Sequence, residues 1–315
     1  MKVLFMGTPA FAAESLAALL DAGHDVRAAV TRPDAPSGRG LSRRSPAVKE
    51  LALARGVPTL QPEEVKGDLF AQQVAELGAD IIVVVAFGRI LPQRLLEAAP
   101  LGAVNVHASL LPRLRGASPI VWAIARGEPL TGVTTMRMVR KLDAGDILMQ
   151  SETPIQPEET AGQLESRLAR LGGDLLVRTL TGLQAGSIKP RPQDESAVTW
   201  APMLRKEDGL IEWSRSAREI ARLVRAFDPW PAARTGLPDG SGRQFRLWKA
   251  AEDPGATAPG AAGPGTIVGT DDGILVCCGQ GTMLRVTELQ PDGRKRMSAQ
   301  AALAGRYLGP GDRFG

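Results

Sequence analysis

Three polar side chains stand where this sequence could do chemistry. Asn105 and His107 lie in NVHASLLPRLRGASP (Asn105 to Pro119), and Asp143 lies in KLDAGD (Lys141 to Asp146). Asn105 and His107 are two residues apart, so on a strand they share one face. A donor amide, an imidazole that titrates near neutrality and a carboxylate can together stabilise an oxyanion and move protons to and from amines. A carboxylate close to an imidazole favours the charged ring and fixes its orientation. No activated Ser or Cys nucleophile is apparent, so direct acyl transfer between amines is the reaction class that fits. Plainer readings stay open. The Asn–His pair can be a satisfied core pair pinning the next loop, and acids beside Gly145 can simply cap a turn. Spacing alone does not show that Asp143 reaches His107.

A polar pair at a strand end needs a sheet to hold it. The first two-thirds of the chain alternate strand and helix patterns. Strands are expected at Val3 to Met6, Val26 to Thr31, Val57 to Leu60, Ile81 to Phe87 and Ala103 to His107. Helices are expected at Ala10 to Ala22, Val48 to Arg55, Asp68 to Leu77, Pro119 to Arg126 and Thr160 to Leu183. Thr131 to Val139 and Ile147 to Pro154 alternate as half-buried strands do. The pattern predicts an α/β fold: an open, mostly parallel Rossmann-like sheet with helices on both faces. Such sheets bind ligands beyond strand carboxyl ends, which is where His107 falls. Gly7-Thr8-Pro9 follows the first strand in place of G-x-G-x-x-G, so a dinucleotide site is not indicated.

Around Lys189 to Pro202 the composition turns to Pro, Asp, Glu and Ser, as in a linker. A helix (Ser216 to Ala226) and short strands (Gln244 to Lys249, Thr266 to Val268, Gly273 to Cys278, Met283 to Leu289) predict a small β-barrel. The expected division is therefore 1–189, a linker at 190–205, and 206–315.

The 315 residues are 43% hydrophobic and 23% charged, ordinary for a soluble globular protein. The apolar run Ile81 to Phe87 is far shorter than the roughly 20 residues of a membrane helix. Met1-Lys2 and Ala10-Phe11-Ala12 mimic a signal peptide, but Gly7-Thr8-Pro9 breaks the apolar run too early. Cys277 and Cys278 are the two cysteines, and as neighbours they cannot easily form an ordinary disulfide. They suit a reducing compartment, and the cytoplasm is expected. With His24 in a helix-to-strand turn and two adjacent cysteines, a zinc site is not expected. Net charge is +4 and the pI about 9.3. Arg32, Arg39, Arg43, Arg44 and Lys49, against Asp34 alone, make a basic loop: a solvated face, or a clamp on an anionic backbone.

NVH followed by SLLPRLRGASP (Ser109 to Pro119), then LDAGDIL (Leu142 to Leu148), resembles the signature of the folate-dependent formyltransferase family. FMGTPAFAA (Phe5 to Ala13), TRPDAPSGRG (Thr31 to Gly40), VVAFGRILP (Val84 to Pro92), RAFDPWPA (Arg225 to Ala232) and LQPDGRKRMSAQ (Leu289 to Gln300) extend the resemblance over nearly the whole chain. They are similar to the branch acting on methionyl-tRNA, and not to the single-domain glycinamide ribonucleotide formyltransferases. The resemblance implies transfer of formyl from 10-formyltetrahydrofolate, without a metal, to the amine of methionyl-initiator tRNA. It implies catalytic roles for Asn105, His107 and Asp143. It places Ser109, Leu110, Leu111 and Pro112 along the folate, with Phe87, Gly88, Arg89, Ile90 and Leu91 beside the pterin. Arg39, Arg43 and Arg44 would meet the tRNA acceptor end, and 206–315 would be an OB-like tRNA-binding domain. A monomer is expected. Leu41-Ser42-Arg43-Arg44 stands where the family pattern has lysines, and Thr235 to Arg243 and Asp253 to Gly265 are individual; these departures bear on tRNA contacts, not on the reaction. A formyltransferase for a sugar nucleotide or small amine, and a tRNA-binding protein without catalysis, remain the alternatives.

Overall fold

A computed structural model describes residues 1–37, 42–260 and 262–315. One compact unit comprises Met1–Pro119, Leu130–Pro154 and Glu165–Ala201; the other comprises Ile120–Pro129, Ile155–Leu164 and Pro202–Gly315. The chain opens with β1 (Lys2–Gly7), α1 (Ala10–Asp21), β2 (Asp25–Val30), β3 (Ala35–Ser37), β4 (Ser42–Arg44) and α2 (Ala47–Ala54). Next come β5 (Thr59–Leu60), α3 (Asp68–Glu76), β6 (Ile81–Val85), α4 (Gln93–Leu96) and β7 (Ala103–His107). Then follow α5 (Pro119–Arg126), β8 (Leu130–Arg137), β9 (Ile147–Pro154) and α6 (Ala161–Gln184).

The first unit is built on a sheet of order β5-β2-β1-β6-β7-β8-β9. Pairing is parallel from β5 to β7 and antiparallel at β8 and β9. The chain works outward from β1 to β5, then returns to set β6 on the other side of β1. That reversal puts the switch in strand order between β1 and β6, next to β7. Val3 to Met6 and Ile81 to Val85 are wholly buried, as unbroken apolar runs in a two-sided sheet must be. The expected alternation in β8 is not seen: Thr131 to Met136 are all buried, because α6 covers one face at Val133 and Thr135 and the 109–111 loop covers the other at Gly132 and Thr134. On one face of β7, Val106 packs against α6, where a Cβ on Gly172 would come 3.1 Å from Val106 Cγ1. Asn105 and His107 belong to the opposite face.

Two segments differ from what composition alone suggests. The basic loop contains a short hairpin, with β3 paired to β4 from Ala35↔Arg44 to Ser37↔Ser42. Residues 190–201, expected as linker, are bonded into the first unit. Arg191 and Ile147 exchange backbone hydrogen bonds at 2.9 and 2.8 Å, and Arg115 N donates to Thr199 O at 2.9 Å. Pro-rich composition reads the same whether a segment hangs free or lies along a surface.

The second unit contains α7 (Ala217–Ala226), β10 (Ala233–Gly236), β11 (Gln244–Glu252), β12 (Ile267–Gly269), β13 (Ile274–Cys277), β14 (Met283–Pro291), β15 (Met297–Ser298) and α8 (Ala299–Ala304). Its antiparallel sheet runs β10-β11-β14-β13-β12, with β15 on β14, a curled OB-like arrangement. Ser216 and Glu219 form a capping box that starts α7. Trp213 stacks on Phe314 at 5.2 Å, and Phe245 meets Phe314 edge-on at 5.8 Å. Cys277 and Cys278 are free and buried, and burial pushes the Cys278 thiol up to about 12, leaving it inert.

Gly132, in β8, tests how tightly this sheet is packed. A Cβ there would overlap Ser151 O of β9 and lie 2.7 Å from Leu110 Cδ2. Gly132→Ala is expected to lower stability by about 1–3 kcal/mol through overpacking, read as a shift of the urea midpoint at unchanged slope.

Candidate active site

The site is assembled on β7. His107 is 7% exposed and Asn105 half-buried, side by side on the sheet face away from α6. The Nε2 of His107 lies 3.0 Å from the carbonyl oxygen of Leu114. A carbonyl only accepts, so Nε2 carries a proton. Nδ1 faces Asp143 Oδ2 at 3.7 Å, beyond hydrogen-bond length but well within reach of its charge. The backbone N–H of Gly116 donates to the same oxygen at 2.9 Å. Nδ1 is thus the ring position left to exchange a proton with a bound molecule. Among the described residues, none hydrogen-bonds the Asn105 side-chain amide, which leaves its donors for a ligand.

Asp143 arrives from an unexpected direction. β8 runs against β7, passing His107 at Thr134 and ending with Arg137 opposite Val104, so the chain leaves β8 three residues, about 10 Å, beyond His107. The loop from 138 to 146 must fold back across the face to deliver the carboxylate. Its conformation is constrained at several points. Asp143 has φ 49°, and Leu114, which supplies the carbonyl to His107, has φ 58°. Left-handed backbone at a non-glycine residue costs about 1–3 kcal/mol and persists only where its surroundings over-determine it. At Gly145 a Cβ would overlap the Arg137 carbonyl oxygen, so no larger residue fits the fold-back.

The residues that restrain this loop are not evident from sequence motifs. Gln193 Nε2 donates to Asp143 O and to Gly145 O, both at 2.8 Å. Its Oε1 accepts from Arg115 Nε at 3.0 Å and Nη2 at 2.7 Å. Arg115 is fully buried, and its Nη2 also donates to Glu195 at 2.9 Å. Hydrogen bonds from Arg115, then Lys141, hold the Glu195 carboxyl down at about 2. In the sequence Arg115 reads as one more basic residue of a glycine-containing loop, and Gln193 as part of a linker.

The two loops expected at the folate follow adjacent parallel strand ends, with Val84 of β6 paired to Asn105. Much of their side-chain chemistry is spent on holding the loops themselves. Ser109 Oγ donates to Arg113 O at 2.7 Å, and Ser109 O accepts from Thr134 Oγ1 at 2.7 Å. Leu111 packs with Met136 and Ile147, its carbonyl accepts from Gln150 Nε2 at 2.9 Å, and Pro112 follows it. Phe87 and Leu91 belong to the core. Arg32 donates to Gly88 O, and Arg89 Nη1 donates to Pro62 O and Glu63 O at 3.0 and 2.7 Å. Half-buried Leu110 and exposed Ile90 are the apolar side chains left partly open.

Arg39 lies outside the described residues, and Arg43 and Arg44 are described by backbone alone, paired with Pro36 and Ala35. Two other cations of the basic loop have structural partners. Lys49 Nζ bonds both oxygens of Asp34, at 2.9 and 2.8 Å, and Arg32 ties the loop's root to Gly88.

An open α/β sheet gathers an amide, an imidazole and a carboxylate over one strand, a set with the chemistry for group transfer. Residues 1–180 match the formyl transferase family model, and residues 203–307 match that of the formyl transferase C-terminal domain. A methionyl-tRNA formyltransferase of Geobacter metallireducens is 48% identical over 315 residues, covering 100% of this chain and 99% of the relative. One from Acidobacterium capsulatum is 46% identical over 316 residues, covering 100% of each. Among solved structures, an N-formyltransferase of Helicobacter canadensis in complex with folinic acid and dTDP-3-aminofucose superposes with TM-score 0.66 at 16% identity, covering 91% of this chain and 98% of that one. HypX of Aquifex aeolicus with tetrahydrofolic acid gives TM-score 0.62 at 19% identity, covering 98% of this chain. The chain spans about half of HypX, 48% of its length. The chain belongs to the formyl transferase family.

His107 and Asp143 are expected to act as one unit, so their losses should not multiply. Formyl transfer by His107→Ala/Asp143→Asn should be little slower than by the poorer single variant. Fully multiplicative losses would show that the 3.7 Å approach has no functional meaning.

Proposed function

We propose that this chain transfers the formyl group of 10-formyltetrahydrofolate to the α-amino group of methionyl-initiator tRNA, giving N-formylmethionyl-tRNA for translation initiation. The carrying observation is His107 Nδ1 facing Asp143 across 3.7 Å beside an Asn105 amide that no described residue engages. The choice of substrates is supported by full-length relatives named methionyl-tRNA formyltransferase. In this reading the methionyl amine attacks the formyl carbon on the folate nitrogen. Asn105 and protonated His107 donate to the oxygen as it gains charge. Asp143 stabilises the imidazolium and takes a proton from the attacking nitrogen, directly or through a water. His107 or that water then protonates the leaving nitrogen. Each of these groups belongs to the first unit.

The folate is assigned to the loops Phe87–Leu91 and Ser109–Pro112, whose rigid backbone gives a flat heteroaromatic ring its edges and Leu110 an apolar wall. The tRNA is assigned to Arg39, Arg43, Arg44 and residues 206–315. Exposed Trp230, and Arg296 held 4.5 Å over the Trp248 ring, give that domain aromatic and cationic surface together. The enzyme works in the cytoplasm as a monomer.

The direct test offers labelled 10-formyltetrahydrofolate with charged initiator tRNA and looks for formylated methionine. Label passing to a small amine or sugar nucleotide but not to the tRNA would overturn the substrate assignment. Asn105→Ala should lower kcat by about 10²–10³-fold, the usual loss for one oxyanion donor. Arg39→Ala should weaken tRNA binding and flatten its log–log salt dependence by about 0.7–0.9, while folate affinity stays unchanged. Parallel loss of folate binding would make Arg39 a structural residue.

A further inference from the structure

We infer that Gln193 is a positioning residue that sets the Asp143 carboxylate against His107, acting from the segment that joins the catalytic unit to the rest of the chain. This rests on the reading of Asp143 as catalytic. The orientation of the Gln193 amide is not ambiguous. Its oxygen faces a guanidinium, which only donates, and its nitrogen faces two carbonyls, which only accept. Reversing the amide would break all four contacts.

The two carbonyls belong to Asp143 and Gly145, which bracket the fold-back of the 138–146 loop. Asp143 is itself in the left-handed region, and a single peptide in that state needs external restraint. Gln193 supplies it from one side, and the Gly116 N–H supplies it from the other through the carboxylate. Both restraints trace to one side chain. Arg115 precedes Gly116 in sequence, is fully buried, and holds Gln193 through Nε and Nη2. Glu195, bonded to Arg115 at 2.9 Å and to Lys141 at 2.7 Å, ties the 193–195 segment back to the same loop. Arg115, Gln193 and the 141–145 loop form a closed circuit with the Asp143 carboxylate as its working end. An amide is needed at 193 because the position must accept on one side and donate twice on the other. A carboxylate meets the first demand and violates the second.

Two variants separate positioning from folding. Gln193→Glu keeps an acceptor for Arg115 and turns an oxygen on the two carbonyls. Gln193→Met keeps the length and removes both functions. Each is expected to lower kcat by about 10–100-fold, the scale of a misplacement near 1 Å, with folate and tRNA KM changed by less than about twofold. A second readout does not depend on turnover. The chain has 2 histidines, so the ring ¹⁵N resonances of His107 can be followed with His24 as internal control. Both variants should move the His107 resonances, as should Asp143→Asn, while His24 stays in place. If Gln193→Met does not fold, Gln193→Glu decides. A folded Gln193→Glu protein with kcat within about twofold of wild type and unmoved His107 resonances would overturn the inference. If Asp143→Asn keeps full activity, the catalytic reading of Asp143 fails; shifted His107 resonances in the Gln193 variants would then still locate Gln193 as what orders that carboxylate.

Discussion

The structure turns on one demand: a carboxylate must be held beside a nearly buried imidazole, close enough to act on its charge and too far to be a simple hydrogen-bonded partner. His107 and Asp143 meet at 3.7 Å with both side chains largely removed from water. An isolated carboxylate in such a place would be expensive to desolvate, so it must be given donors. It receives one backbone N–H, from Gly116, and the imidazole is fixed at its far nitrogen by the Leu114 carbonyl. Each of these groups sits on or beside a left-handed or glycine backbone, φ 58° at Leu114, 49° at Asp143 and 122° at Gly116. The site stores local conformational strain so that the near nitrogen of the ring and one side of the carboxylate stay open.

That strain is tolerated because the platform beneath it is held on every side. β7 is paired on both edges, to β6 and β8, and its Val106 face is pressed against α6 at a glycine. The period of two in a strand then does two jobs with neighbouring residues. Val104 and Val106 anchor the strand in the core, while Asn105 and His107 are presented on the opposite face as a rigid pair. The loop after β7 is pinned in turn by Thr134 and Gln150, side chains of β8 and β9. The sheet therefore fixes the acceptors and donors of two loops as well as its own.

How much of this was readable beforehand follows from which interactions are local. Buried strands such as Ile81–Val85 and the helices between them were legible because their apolar runs and spacings are written over consecutive residues. Asn105 and His107 were legible as a same-face pair for that reason. The approach of Asp143 was not, because β8 leaves at the wrong end of β7 and the return depends on a loop conformation that spacing does not encode. Arg115 and Gln193 were invisible for a different reason. A buried guanidinium is signalled only by its partner, and that partner is 78 residues away in a Pro-rich stretch with no periodicity. The hairpin β3–β4 was missed because strands of three residues carry no readable alternation.

The charges of the second unit raise a last physical question, since several of its cations already have acidic neighbours. Arg246 lies 3.7 Å from Asp292 and Lys249 lies 3.5 Å from Glu158, each pair exposed. Paired cations look unsuited to a polyanion. Exposed ion pairs, however, contribute only about 0–1 kcal/mol each, because water screens the attraction and two long side chains must be held still. A phosphate can take over such a cation at small loss, and counterion release adds a favourable term that an internal carboxylate lacks. A modest net charge of +4 is therefore compatible with a polyanionic substrate, provided that the exchangeable cations lie together.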